Sequence, residues 1–159
     1  MSDTAQHPSN ASKSSLPWLS GIVTGFVSGF VLGFFLKAVQ ALTGENVYTL
    51  LLNIDFMPGL PPRLPEWIEF ALHLAVSAAI GVFYMWWIKR SGHPICRGII
   101  LGGVSSLLYI PLSPLSPRVP DLNDMGAILY WAAGHLLFGA VLGLCGKYVQ
   151  AKKRHPVHQ

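Results

Sequence analysis

The order of apolar and polar positions divides the chain into four long apolar segments joined by shorter polar ones. The first, GIVTGFVSGFVLGFFLK, has a glycine at every fourth position: Gly21, Gly25, Gly29 and Gly33. Residues four apart lie on one face of a helix, so these glycines form a groove that another backbone can approach closely. Each glycine lowers helix propensity in water by about 1 kcal/mol relative to alanine, whereas glycine is frequent in helices held by lipid. The pattern therefore predicts a transmembrane packing face.

The four apolar segments each have the length of a membrane span, which is about 17 to 25 residues. We predict helices over residues 16–42, 65–90, 95–112 and 125–149. The second begins at Pro65, because proline lacks the N–H that a first helical turn leaves unpaired. Pro111 is expected to kink or end the third helix. The sequence thus predicts an all-α, integral membrane four-helix bundle.

The polar segments between the helices differ in character. The stretch ENVYTLLLNIDF has an apolar part too short to cross a bilayer, which predicts an interfacial or re-entrant helix. The proline-rich stretches PGLPPRLPE and SPLSPRVPDLND predict extended loops. Residues 1–15 are rich in Ser, Asn, Gln and Thr and are expected to form a disordered cytoplasmic tail, and residues 151–159 a basic cytoplasmic tail.

The distribution of charge predicts the orientation in the membrane. Basic residues collect in the N-terminal tail, in the turn after helix two and in the C-terminal segment. These three regions together contain a single acid, Asp3. All the other acidic residues fall in or beside the two remaining loops. By the positive-inside rule both termini are cytoplasmic (N-in/C-in). The basic C-terminal residues are expected to meet anionic lipid.

The composition excludes an ordinary water-soluble domain. The chain has 159 residues, of which 52% are hydrophobic and 11% charged, against roughly 25% charged in soluble domains. The net charge of +4 does not indicate a nucleic-acid partner, because the basic residues lie at the ends of apolar segments and form no stripe with aromatic residues. The two cysteines, Cys96 and Cys145, are interpreted as small apolar residues and not as a disulfide or metal pair.

Three sequence blocks recur in the same order along the chain. GIVTGFVSG resembles GIILGGVSS, PRLPE resembles PRVPD, and HLAVSAAIG resembles HLLFGAVLG. We interpret this as a duplication within a single transmembrane domain (16–150), with one two-helix repeat over about 16–90 and a second over about 95–150. Two-span repeats share one orientation, so the two would be parallel and related by an axis along the membrane normal. In this interpretation Gly98 and Gly102 are packing residues equivalent to those of helix one; the alternative is chance recurrence of Gly, Leu and Val.

Two histidines within the apolar segments are the main candidates for chemistry. His73 and His135 each begin a run of small residues at spacing four, which predicts that both imidazoles face other helices and not lipid. Glu69 lies one turn before His73 and could pair with it. We favour a structural hydrogen bond across a helix interface, and a proton or ion relay is the alternative. No metal and no cofactor is expected, because nothing in the spacing aims both rings into one cavity.

Arg63 and Arg118 each lie between prolines and precede an acid in the loops. We predict a salt bridge that closes each loop over the bundle, with an anion or headgroup clamp as the alternative.

The stretch YWAAGHLLFGAVLG follows a proline-rich loop and resembles the last helix of the YagU-like family of small bacterial inner-membrane proteins, through Gly134-His135 followed by Gly139. The layout is also similar to that of the YqhR-type membrane proteins. The resemblance covers residues from about 100 to the C-terminus. It implies a multi-pass protein of the bacterial plasma membrane, in a family linked to acid tolerance without an established catalytic activity. His135 is the one residue of this chain to which the resemblance assigns a possible role.

These observations together predict a non-enzymatic integral membrane protein of unassigned function. Its glycine-bearing helix would pack within the chain or form a homodimer, with membrane lipid around it. The alternative function is a small transporter or a proton or ion relay that uses His73 and His135. An enzyme is not expected, because the sequence contains no recognisable nucleophile with a base and no metal-ligand motif.

Overall fold

The computed structural model describes residues 17–54, Gly59 and residues 64–154, and the side chains of these from 18 to 152. The helices, in chain order, are α1 (Pro17–Thr43), α2 (Val47–Leu52), α3 (Glu66–Ser91), α4 (Pro94–Ser106), α5 (Tyr109–Leu112) and α6 (Met125–Arg154), with a 3-10 turn at Ser113–Leu115. No strand occurs in the described ranges. The predicted all-α class is therefore confirmed.

Within the described residues, four segments are long and apolar enough to cross a membrane: Trp18–Thr43, Glu66–Ser91, Pro94–Leu115 and Met125–Lys152. Many of their large apolar side chains point away from the bundle, and Phe34, Leu129 and Val76 are each more than half exposed. A helix that is apolar on its outer face as well as its inner face is suited to lipid and not to water. The chain is accordingly an all-helical membrane protein built as a four-helix bundle.

Charged residues stabilise both ends of α3 and the start of α6. Glu66 and Glu69 lie in the first turn of α3, whereas Lys89 and Arg90 lie in its last turn. At the start of α6 the Asp124 carboxylate accepts a hydrogen bond from the Ala127 amide at 3.1 Å, which satisfies one of the amides that a helix start leaves unpaired.

The bundle consists of two closely packed helix pairs, α1 with α3 and α4 with α6, which meet mainly where α1 contacts α6. Glycines make the close approach possible in both pairs. A Cβ atom at Gly21 or Gly25 would lie within 3.0 Å of the α3 backbone at Ser77–Val82, and one at Gly98 or Gly102 would do the same against the α6 backbone near Gly139. The predicted packing glycines of helices one and three thus lie against the partner helix of the same chain.

The two remaining glycines of the α1 face contact side chains of α3. Gly29 faces the Ser77 side chain and Gly33 faces the Phe70 ring, and a Cβ at either position would overlap these groups. Together the four glycines at spacing four accommodate one continuous face of α3.

The third apolar segment is broken one turn before Pro111. Proline at 111 cannot donate a hydrogen bond to the carbonyl four residues earlier, at Leu107. The Leu107 carbonyl instead accepts a hydrogen bond from the Ile110 amide, at 3.1 Å. The Leu107 and Leu108 amides likewise bond to carbonyls three residues back, those of Val104 and Ser105, at 3.1 Å each. This tighter turn separates α4 from α5 and places the expected kink at Leu107 and Leu108.

The short helix α2 is packed into the bundle between α1 and α3. Its residues Val47, Tyr48, Leu50 and Leu52 are buried. Asn46 at its start makes no side-chain cap; instead, the Gln40 side-chain oxygen on α1 accepts hydrogen bonds from the Tyr48 and Thr49 amides, both at 3.0 Å. The predicted short helix therefore exists, and a residue of α1 caps it.

Candidate functional site

His135 lies on the inner face of α6, where its side chain is only 4% exposed. Its Nδ1 atom is 2.9 Å from the Trp131 carbonyl oxygen, one turn earlier in the helix. The imidazole also lies against the Trp131 ring, with the ring centroids 4.3 Å apart. Trp131 is held in turn, because its indole N–H donates to the Ser106 carbonyl of α4 at 2.9 Å. The packing of α4 against α6 thus fixes the orientation of the imidazole.

His73 lies on α3 and faces the glycine groove of α1. Its Nε2 atom is 3.3 Å from the Gly29 carbonyl oxygen and 3.4 Å from the Ser77 hydroxyl oxygen. The absence of a side chain at Gly29 leaves room for Ser77 beside this bond. His73 is partly buried, and its imidazole bonds across the α1–α3 interface.

A single cavity of about 270 Å³ brings the two histidines together. It lies between the two helix pairs, and the end of α2 forms part of its wall. Most of the wall is apolar, and the polar side chains are few. Its lining residues include Leu51, Leu52, Asn53, Glu69, His73, Val76, Ser77, Ser105, Leu108, Trp131, His135 and Phe138.

The cavity reaches the outer surface of the bundle. Two of its lining residues, Val76 on α3 and Leu108 after α4, are 57% and 48% exposed. In a chain whose outer surface meets lipid, a small apolar molecule would reach the cavity from the acyl chains.

The structure brings together His73, His135 and Glu69 among the residues singled out in the sequence. All three line the cavity, with Glu69 one helical turn before His73 on the same wall. Among the residues described, no group of three or more His, Cys, Asp and Glu side chains is arranged to hold a metal ion.

Of the two loop arginines, only Arg118 is described, and it does not line this cavity. Arg63 falls outside the described residues. Arg118 is half-buried in the turn before α6, where its amide donates to the Ser116 hydroxyl at 3.3 Å. The salt bridge or anion clamp predicted for the two arginines stays a prediction.

Several lining residues were not singled out by the sequence as parts of a site. Ser105, Phe138 and the segment Leu51–Asn53 line the cavity, but none of them carries a charge. The available signal was the position of Ser105 in the repeat-like block GIILGGVSS, together with the amphipathic end of ENVYTLLLNIDF.

The sequence also did not predict a polar cluster that lies where the end of α1 meets the start of α3. Lys37 pairs with Glu66 at 2.5 Å, and the Tyr48 hydroxyl donates to the same carboxylate at 2.9 Å. Burial and the hydrogen bond to Glu66 raise the pKa of Tyr48 above its usual range. These contacts join α1, α2 and α3 and hold α2 in the position where it lines the cavity.

The fold and this cavity define the class: a four-helix membrane protein with an internal, largely apolar cavity that contains two histidines. The chain matches no family model, no curated protein and no solved structure.

Proposed function

We propose that this protein is a non-enzymatic membrane protein that binds a small, mainly apolar molecule in the cavity between its two helix pairs. The observation that carries this proposal is the cavity itself, with apolar walls and a few converging polar groups. That combination is typical of ligand sites, although about 270 Å³ lies near the lower end of their usual size. The ligand would be about the size of a single ring with small substituents.

A binding role is favoured over an enzymatic one by how the polar side chains of the cavity are used. The Trp131 indole, one nitrogen of each imidazole and the Ser77 hydroxyl already bond within the protein. The Ser77 hydroxyl lies beside an imidazole, but it contacts the same His73 nitrogen that faces the Gly29 carbonyl. That nitrogen must carry a hydrogen and so cannot accept the serine proton.

The architecture we propose has two parallel two-helix repeats, with both termini in the cytoplasm and the protein in the bacterial plasma membrane. The equivalent glycines support the duplication, because Gly21 and Gly25 face α3 as Gly98 and Gly102 face α6. The positions of basic residues support the orientation. Surrounding lipid is the expected partner, and a homodimer would use an outer surface, since the glycine face of α1 is covered within the chain. The resemblance to the YagU-like and YqhR-type families stays a prediction.

A second candidate is the proton or ion relay through His73, His135 and Glu69. The observation that favours it is that all three line one cavity. Ionisable groups inside a membrane commonly mark such pathways. Proton flux into liposomes that contain the wild-type protein, lost when both histidines are replaced by phenylalanine, would support the relay over binding alone.

The binding proposal is tested by filling the cavity. Ser105 lines it, whereas the neighbouring Val104 does not and is 57% exposed on the outer surface. We expect Ser105→Phe to abolish saturable binding of fluorobenzene in detergent micelles, measured by ¹⁹F NMR. Val104→Phe, the matched control, should bind the probe as the wild type does.

The same comparison can contradict the proposal. Wild-type protein that shows no saturable binding beyond partition into empty micelles would refute it, and so would equal binding by Ser105→Phe and wild type. Both variants must retain the helical circular dichroism of the wild type for the comparison to count.

A further inference from the structure

The ring nitrogen of His135 that faces Trp131 has a fixed role. A carbonyl oxygen can only accept a hydrogen bond, so Nδ1, at 2.9 Å from the Trp131 oxygen, must carry the hydrogen. The ring is buried and makes no ion pair with a described residue, so a positive charge on it would be costly. We therefore assign the neutral form, which has a single ring hydrogen, on Nδ1.

The opposite nitrogen, Nε2, then has a lone pair and no hydrogen. It has no hydrogen-bond partner among the described residues, yet it is not one of the fully enclosed polar atoms of the protein. Since the His135 residue as a whole is buried and lines the cavity, the cavity is where this atom is accessible.

His73 follows the same logic. Its Nε2 is the nitrogen beside the Gly29 carbonyl oxygen, so Nε2 carries the hydrogen and Nδ1 is left as an acceptor. The wall also contains the Asn53 amide and the Ser77 and Ser105 hydroxyls, whereas the Trp131 indole N–H already bonds to the Ser106 carbonyl. Towards a ligand, the two imidazoles therefore present hydrogen-bond acceptors and no free N–H.

We propose that the cavity selects small apolar molecules that carry a hydrogen-bond donor, such as a phenol or another hydroxyl compound, with the hydroxyl bonded to Nε2 of His135. This inference rests on the proposed binding function and specifies its ligand class. The ring of such a ligand would lie among the apolar side chains, beside Phe138 and Leu52. An ether or ketone of the same shape offers only acceptors and would leave the Nε2 lone pair unpaired.

The test compares three fluorinated probes that differ at one substituent: 4-fluorophenol, fluorobenzene and 4-fluoroanisole. Their binding to the full-length wild-type protein is measured by ¹⁹F NMR, after correction for partition into empty micelles. We expect 4-fluorophenol to bind about five-fold more tightly than either of the others, which corresponds to one neutral hydrogen bond of about 1 kcal/mol. His135→Phe keeps a flat ring but removes the acceptor, so the three affinities should converge.

The outcomes separate this inference from the proposed function. If all three probes bind wild-type protein equally, or if 4-fluoroanisole binds as well as 4-fluorophenol, the donor preference is wrong but the binding cavity stands. If none binds, the proposed function itself fails. Should His135→Phe not fold, ¹⁵N NMR of the wild-type histidines decides the matter. An Nδ1–H tautomer at His135 supports the inference, and an Nε2–H tautomer or a charged ring overturns it.

Discussion

Single glycines determine how closely the helices of this protein approach one another. At Gly25 an added Cβ would lie within 3.0 Å of backbone atoms of Ser77 and Ala78. Backbone atoms cannot move aside by the rotation of a side chain. At Gly103, by contrast, an added Cβ would meet nothing within 4 Å. The same residue type thus has opposite roles at two positions, one inside a helix pair and one on an open surface.

Gly25→Ala should therefore destabilise the protein, because the α1–α3 pair must separate to admit the methyl group. We expect a loss of about 1 to 3 kcal/mol in the free energy of unfolding, the usual cost of overpacking. The measurement is denaturation by SDS in bicelles, followed by circular dichroism.

The control for this substitution is Gly103→Ala. It should leave the free energy of unfolding unchanged or raise it by up to about 1 kcal/mol, because alanine is the better helix former. Equal losses at the two positions would contradict the proposed role of close packing at Gly25.

Among the elements, α2 depends on the rest of the fold more than any long helix does. It has six residues, too few for an isolated helix to be stable in water. Its first turn is capped by Gln40 of α1, and Tyr48 anchors it to the carboxylate of Glu66 on α3. Its last residues, Leu51 and Leu52, line the cavity. A defect at the cap should therefore reach the binding site.

Gln40→Leu removes the oxygen that accepts hydrogen bonds from the Tyr48 and Thr49 amides. Leaving these donors unpaired should cost about 2 kcal/mol of stability and weaken fluorobenzene binding. Thermal unfolding and the ¹⁹F NMR titration measure the two effects. The control, Leu42→Ala, changes a side chain on the same helix that is 86% exposed, and it should alter neither. Unchanged binding in Gln40→Leu would show that α2 does not shape the cavity.

The long helices could be predicted from the sequence because their signals are local. Apolar length and terminal charges locate α3 and α6, and the glycine spacing of α1 predicts a close packing face. The packing partner of that face could not be read in the same way, because which helix covers Gly25 depends on contacts far apart in the chain. The kink lies at Leu107 and Leu108, because Pro111 has no N–H to donate to the carbonyl one turn earlier.

Of the candidate site, only the two histidines and Glu69 could be predicted from the sequence. The spacing of small residues indicated that His73 and His135 face inward, and both line the cavity. Their convergence on one cavity, and the contribution of Ser105 and Leu52 to its wall, arise from how the two helix pairs meet. Hydrogen bonds to backbone carbonyls likewise have no sequence signature, and they decide which nitrogen of each ring is left for a ligand.

For the molecule as a whole, the account depends on lipid as the surrounding medium. Two helix pairs, each packed through glycines, leave a cavity between them, and large apolar side chains cover much of their outer surface. In water, the exposed apolar side chains of α4 and α6 would instead drive aggregation.

Cysteine labelling of intact cells tests this arrangement most directly. Cys96 is exposed at the start of α4, and Asn123 is exposed just before α6, at the other end of the third apolar segment. In a Cys145→Ala background, a membrane-impermeant maleimide should label Asn123→Cys (with Cys96→Ala) from outside, and Cys96 only after permeabilisation. Labelling of both sites from one side, or recovery of the protein in the soluble fraction, would contradict the four-span bundle.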